Sequence, residues 1–343
     1  MRRWFCICIL AAFIGACEQK PAPTAGPSPT SQPAGATAAK PAKARLRIAV
    51  IPKGTTHDFW KSVHAGAIKA QREAGDVEVV FRGPEREDDR EQQISLVQNF
   101  ISSRVDAIVL APLDNKALLA PVQQATAAKI PVVIIDSGLA GQAGKDYASF
   151  AATDNYKGGQ LAAERMAAVV GKGRVLMLRY MEGSASTSER ERGFVEAIAK
   201  FPDIQLLDPK RYAGATRDTA QQASENLLTA DSNVQGVFCP NESSTYGMLL
   251  ALRSRGLARK IHFVGFDASS GLVEALSKGE LDGLVVQNPM KMGYMGVKTA
   301  VECLQGKTVP QFQDTGVVLV TKETMDQPEY KDLLKPDLSK YLD

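Results

Sequence analysis

The chain has 343 residues, 44% of them hydrophobic and 23% charged, with 41 Lys and Arg against 38 Asp and Glu. That balance leaves no basic excess to neutralise a row of phosphates and so excludes a nucleic-acid binder, and it equally excludes a disordered acidic protein. Five cysteines are too few for a disulfide scaffold and three histidines are few for a metal enzyme, which leaves an α/β protein long enough for about two domains.

In chain order, Met1-Arg2-Arg3 gives a basic start and residues 4–16 form an apolar run closed by small residues. As a helix this run would span about 20 Å, short of the ~30 Å hydrocarbon core, so residues 1–16 are predicted to be a signal peptide rather than a permanent span. Ile14-Gly15-Ala16-Cys17 resembles a bacterial lipobox, which makes Cys17 the expected site of lipidation and the new N-terminus. A plain secretory signal with Cys17 incidental is the alternative. Residues 17–44 are dominated by Pro, Ala, Thr, Ser and Gly, which cannot bury enough apolar surface to offset chain entropy, and a disordered tether is expected there.

From Leu46 short β-rich runs alternate with amphipathic helical runs. Strands are predicted at 46–51, 77–81, 107–110, 132–135, 175–178, 204–207, 234–238, 262–264 and 283–286, mostly unbroken Val/Ile/Leu runs suited to parallel strands covered on both faces. Helices are predicted at 60–75, 91–103, 158–170, 189–200, 219–228, 246–255 and 291–304. The alternation implies doubly wound parallel sheets, and the pattern restarts near Asp154, so two similar α/β lobes are expected. Cys239 and Cys303 could pair in an oxidising compartment, but their strand-end and helix-face contexts suit buried free thiols better.

In open parallel sheets ligands bind beyond the carboxyl ends of the strands. The residues there include His57, Phe59 and Trp60 after the first strand, Asp136 and Ser137 after the fourth, and Arg190, Asn241, Phe266, Asp267 and Gln287 in the second lobe. Asp136, Arg190, Asn241, Asp267 and Gln287 can each address two adjacent hydroxyls in one plane, and Phe59, Trp60 and Phe266 could cover the C–H faces of a sugar ring. Other readings stay open: Asp136 and Asp267 as helix caps, the aromatics as core, Arg190 as part of a solvated charged face.

From Leu46 to about Val320 the chain resembles the ribose-binding-protein type of periplasmic sugar-binding proteins, the capture components of ABC importers. The resemblance rests on an ordered series: Phe59-Trp60, Ile130-Pro131-Val132 leading to Asp136, and Thr153-Asp154-Asn155 with Gly158-Gly159. It continues through Arg190 to Gly193-Phe194, Val237-Phe238 to Asn241, Val264 through Asp267, and Gln287 before Pro289. It implies two Rossmann-like lobes joined by a three-strand hinge near Ala152, Gln287 and Gly316, with an N-terminal lobe of 45–152 plus 288–316 and a C-terminal lobe of 153–287 plus 317–343. It places ligand contacts at His57, Phe59, Trp60, Ala111, Asp136, Ser137, Arg190, Asn241, Asp267 and Gln287.

Three positions depart from the ribose binders: His57 and Ala111 stand where Asn is common, and Ser137 replaces an Arg. Ser cannot imitate that rigid bidentate donor, so a small sugar or polyol other than ribose, bulkier near Ala111 and Ser137, is expected. Tyr212 is a candidate stand-in for an aromatic not in register. No spacing completes a zinc site around His57 and His64, and neither an enzyme nor a cofactor is expected. The expected protein is a monomeric, lipid-anchored component on the periplasmic or extracellular face of the membrane, delivering its ligand to an ABC permease. Presentation of the bound ligand to a chemoreceptor or histidine kinase is the first alternative, and a sugar-processing enzyme is a more distant second.

Overall fold

A computed structural model describes residues 45–342, and the proposed signal peptide, Cys17 and tether lie outside the described residues. In the first lobe β1 (Leu46–Ile51), α1 (Asp58–Ala74), β2 (Val77–Phe81), α2 (Arg90–Ser102), β3 (Ala107–Leu110), α3 (Leu119–Ala127), β4 (Val132–Ile135) and β5 (Ser149–Ala152) alternate as a doubly wound unit. The chain then builds a second lobe from α4 (Asn155–Val170), β6 (Gly173–Met177), α5 (Ala185–Ile198), β7 (Ile204–Leu207), α6 (Arg217–Ala230), β8 (Gly236–Phe238), α7 (Glu242–Ser254), β9 (His262–Phe266), α8 (Ser270–Ser277) and β10 (Gly283–Gln287). It closes with α9 (Pro289–Leu304), β11 (Phe312–Asp314), β12 (Val317–Val320) and α10 (Pro328–Leu334).

Two six-stranded sheets result, ordered β11-β5-β4-β3-β1-β2 and β12-β10-β9-β8-β6-β7. All strand pairs are parallel except β10 with β12, which follows β11 after a short crossing and so runs opposite to its neighbour. The alternating strand–helix pattern of the sequence thus gives the expected architecture, with a separate core on each face of each sheet. In β1, Ile48 and Val50 enter one core while Ala49 and Ile51 enter the other, which is why residues 48–51 read as an unbroken apolar run.

The two sheets are linked at three places: after β5, after β10 and between β11 and β12. Two of these passages run straight into capped helices. The Asp154 side chain accepts from Lys157 N at the start of α4, and Asn288 accepts from Lys291 N at the start of α9, with Pro289 supplying a preset φ in the first turn. Thr315 N donates to Ala152 O at 3.0 Å, tying the first and third passages together.

Strand order reverses at the β1/β3 and β6/β8 neighbours, the switch points where an open α/β sheet forms a crevice. The carboxyl ends of the strands in both lobes carry the residues that meet between them.

Candidate functional site

After β1 the segment Pro52–His57 lies against the β2–α2 loop, with Thr55 Oγ1 donating to Pro84 O. The approach is tight enough that a Cβ on Gly54 would sit 2.9 Å from Glu87 Cγ. This contact brings Glu87, from an otherwise solvated charged run, under the first turn of α1. Its Oε1 accepts from Trp60 Nε1 at 2.7 Å and lies 2.9 Å from His57 Nδ1. Its Oε2 accepts from Tyr180 Oη of the other lobe at 2.7 Å. Burial would raise the Glu87 pKa, but His57, Lys53 and Trp60 outweigh it and hold the carboxyl down at about 2. Burial likewise opposes charging of His57, and the Glu87 carboxylate overrides it, raising the imidazole pKa.

Asp136 directly follows β4 with φ +61° and Asp267 directly follows β9 with φ +68°, the left-handed region that a non-glycine residue seldom enters. In each lobe this bend turns a carboxylate back over the sheet edge, and the backbone N–H is kept by the neighbouring strand: Asp136 N donates to Ala151 O and Asp267 N to Val285 O. Asp136 Oδ2 forms an ion pair with Lys53 Nζ at 2.8 Å, with both side chains buried. Lys53 Nζ also donates to Ser186 Oγ of the second lobe at 3.0 Å.

On the second lobe Arg190 is 2% exposed and projects from α5. Its Nε donates to Asn155 Oδ1 at 2.8 Å, its Nη1 donates to Pro240 O at 2.9 Å, and its guanidinium stacks 4.0 Å from the Phe266 ring centroid. Asp267 Oδ1 accepts from Gln287 Nε2 at 2.6 Å and Oδ2 accepts from Glu242 N at 3.1 Å. Burial is the main cause that lifts the Asp267 pKa to about 6, aided by Asp136 and Glu242 and opposed by Arg190 and Gln287. Gln287 Oε1 is buried and has no hydrogen-bond partner. Asn241 caps α7, its Oδ1 accepting from Ser244 N.

Lys53, His57, Glu87, Tyr180, Arg190, Asn241, Asp267 and Gln287 line a cavity of about 30 Å³ between the lobes, room for one or two waters. The lobes touch directly around it, through Tyr180 to Glu87, Lys53 to Ser186, Ser186 N to Ser137 Oγ at 3.1 Å and Asn115 N to Gly183 O at 3.1 Å. This is a closed cleft in which cations and carboxylates interleave beside the Phe59 and Trp60 rings.

Residues 48–308 match the family of periplasmic binding protein domains. The chain belongs to that family. This periplasmic binding protein is 31% identical to the ribose import binding protein of Salmonella typhimurium over 292 residues, 84% of this chain and 95% of that one. It is 30% identical to the D-ribose/D-allose-binding protein of Pseudomonas aeruginosa over 288 residues, 82% of this chain and 89% of that one. Among solved structures it is similar to an ABC transporter solute binding protein from Agrobacterium vitis with bound D-fucose. There the TM-score is 0.81 and the identity 38%, covering 84% of this chain and 99% of that one. A carbohydrate transporter solute binding protein from Agrobacterium radiobacter in complex with D-arabinose gives a TM-score of 0.81 and 35% identity, covering 85% and 99%.

Within this periplasmic binding protein, His57, Phe59, Trp60, Arg190, Asn241, Asp267 and Gln287 lie on the cavity wall. Asp136 stands directly behind Lys53. Three expected contacts lie elsewhere. Phe266 is fully buried in the α4–α5 core, beneath the Arg190 guanidinium, because successive strand residues face opposite sides and Asp267 turns back where Phe266 points inward. Ser137 is buried in the contact between lobes and Ala111 belongs to the first lobe's core, and neither lines the cavity. Tyr212 is 46% exposed and lines a separate surface groove with Pro209 and Arg211, and Tyr180 is the tyrosine at the cleft.

Lys53, Glu87, Tyr180, Ser186, Thr187 and Glu242 line the cavity without having been singled out in the sequence. Cys239 and Cys303 are free thiols. His64 stacks on Phe81 at 4.2 Å, and among the described residues no group of three or more His, Cys, Asp or Glu is placed to hold a metal.

Proposed function

We infer that this protein is the sugar-capturing component of an ABC importer, binding a small neutral sugar or polyol between its lobes and delivering it to a permease. The observation that carries the reading is the set of planar hydrogen-bonding groups gathered on one cavity from both lobes. Within that set Gln287 keeps a buried, unpartnered acceptor beside the Asp267–Arg190 pair. A buried acceptor without a partner is costly, and a ligand hydroxyl would satisfy it. Interleaved charge suits a polyhydroxylated, uncharged ligand better than an anion or cation.

The cavity volume requires that the lobes part to admit a sugar ring, and contacts from both lobes would then favour closure over it. The solute-binding relatives carrying D-fucose and D-arabinose support the substrate class. Lipidation at Cys17 and attachment to the membrane complete the proposal. The polar groups act by holding the ligand, with no chemistry on it and no cofactor.

Calorimetry against D-fucose, D-arabinose, D-ribose, D-allose and myo-inositol tests it. Saturable binding of at least one, in the micromolar range or tighter, is expected. Absence of heat with every one, together with no thermal shift, would overturn the reading.

A further inference from the structure

Glu87 is buried and lies in the run Glu85-Arg86-Glu87-Asp88-Asp89, whose other acids face solvent. Its two oxygens are used by three donors, and every one of those donors belongs to the cavity wall: His57 and Trp60 from its own lobe and Tyr180 from the other. A carboxylate is the only side chain with enough lone pairs to accept all three at once. Resting on the sugar-binding reading above, we propose that Glu87 is the positioning residue of the cleft, orienting the His57 and Trp60 rings for the ligand and clasping the second lobe through Tyr180.

The two tasks are linked by geometry. His57 Nδ1 is held by Glu87, which sets the imidazole tautomer and leaves Nε2, on the far side of the ring, for the cavity. Trp60 is held by its Nε1, which fixes the plane of an indole that also packs edge-on against Phe59 at 4.9 Å. The Tyr180 hydroxyl reaches the same carboxylate only when the lobes are together. A change at Glu87 therefore alters both the shape of the binding wall and the lifetime of the closed form.

Glu87→Gln and Tyr180→Phe separate the tasks. Gln keeps one acceptor oxygen for the position that His57 and Trp60 already share, carries no charge to favour a protonated imidazole, and turns an amide nitrogen toward Tyr180 in place of the second oxygen. Tyr180→Phe keeps the ring and deletes only the clasp. In the full chain without ligand, the imidazole ¹⁵N and ¹H resonances of His57 report its tautomer and titration, and His64 and His262 serve as internal controls. Besides Glu87, the charged groups acting on His57 are Glu242, which raises its pKa, and Arg217, which lowers it. Wild type is expected to show the Nδ1–H tautomer and a raised titration midpoint. In Glu87→Gln the midpoint is expected to fall, because burial then acts with little opposition, while Tyr180→Phe leaves it in place.

Stopped-flow binding of D-fucose and D-arabinose forms the second arm. Glu87→Gln is expected to bind at least tenfold more weakly. Tyr180→Phe is expected to dissociate severalfold faster with its association rate kept. An unmoved His57 titration in Glu87→Gln overturns the proposal, whatever the sugars do. If none of the panel sugars binds wild type, the sugar reading fails while the histidine arm still decides the role of Glu87. Should Glu87→Gln misfold, Glu87→Asp replaces it, with the shorter carboxylate expected to loosen His57 and lower its midpoint without neutralising it.

Discussion

Asp136 and Lys53 form a pair whose side chains are only 4% and 5% exposed, with Ser186 as a third partner from across the cleft. Removing one partner of a buried pair costs about 3–5 kcal/mol because the other charge is stranded. Here the stranded group has an escape, since parting of the lobes returns Lys53 to water. Asp136→Ala is therefore expected to act on closure and not on folding. Ligand affinity should fall at least 30-fold, the equivalent of about 2 kcal/mol for a lost charged hydrogen-bond partner, while denaturant unfolding of the ligand-free protein changes little. Calorimetry on the variant checks this, and unchanged affinity would remove Asp136 from the site. Asp267 calls for a different experiment. Its folded-state pKa of about 6 exceeds the ordinary carboxyl value, so the folded protein holds the proton more tightly. Stability from this group is present at low pH, is lost as pH rises from about 4 to about 6, and stays lost above. Asp267→Asn removes that penalty, and a Gln287 rotated to offer its unpartnered Oε1 can accept from the new amide. The variant is expected to melt higher than wild type at pH 7, to show no such gain at pH 4, and to bind sugar more weakly. Equal melting temperatures at pH 7 would contradict the account. Asp267 could be singled out in the sequence because it directly follows a strand, whereas Glu87 could not. It sits in an acidic run whose ordinary fate is solvent, and only the close packing of Gly54 against it shows that this one side chain turns inward.

Each lobe relies on a pair of helices that meet through glycines. In the second lobe a Cβ on Gly159 of α4 would lie 2.0 Å from Arg190 O of α5, and in the first a Cβ on Gly293 of α9 would lie 1.9 Å from Val63 O of α1. Backbone cannot yield as a side-chain tip does, so alanine at either position must push the helices apart. Both helices displaced in this way carry cleft residues, α5 bearing Arg190 and α1 bearing Phe59 and Trp60. Gly159→Ala is expected to destabilise the protein by about 1–3 kcal/mol, the usual cost of overpacking, and also to weaken sugar binding although it touches no ligand. Thermal melts and calorimetry together test this, and a stability loss with intact affinity would show that α5 can shift without moving Arg190. At this scale much was legible in the sequence, because strands covered on both faces read as continuous apolar runs. Val317–Val320, Ser270–Ser277 and Pro328–Leu334 carry no prediction from the sequence, and three further unpredicted elements have a physical reason. Ser149–Ala152 holds no β-branched residue and Phe312–Asp314 is three residues long and mostly polar, and they become strands by pairing with each other and, for β5, with β4. Helix α3 begins at Leu119 without a side-chain cap and contains Pro121, so no start signal marks it.

Across the whole molecule, closure depends on contacts that connect two rigid sheets, and the C-terminal segment adds one such contact. Helix α10 packs on the second lobe through Leu334, which is buried in the same core as β10 and α7 residues. The following turn at Leu338–Lys340 lies against the far end of α1 in the first lobe, where Arg72 donates to the Lys340 and Tyr341 carbonyls and stacks 5.6 Å from the Tyr341 ring. The chain thus crosses from one lobe to the other beside the hinge passages, and it does so in the arrangement that holds the cleft closed. Any rotation that opens the cleft moves Arg72 relative to α10 and disturbs this contact. The groups are exposed, so the direct stabilisation is small, about 1 kcal/mol or less. Binding is nevertheless sensitive to it, because apparent affinity scales with the fraction of molecules in the competent arrangement. Deleting residues 337–343 is expected to shift the melting temperature by no more than about 2–4 °C. The same deletion should enlarge the ligand-free radius of gyration in small-angle scattering and leave the sugar-saturated value unchanged. Affinity for the best-binding sugar should fall two- to fivefold, with the loss in step with the enlargement. Identical scattering from full-length and shortened proteins would show that the segment rides on the first lobe without restraining it.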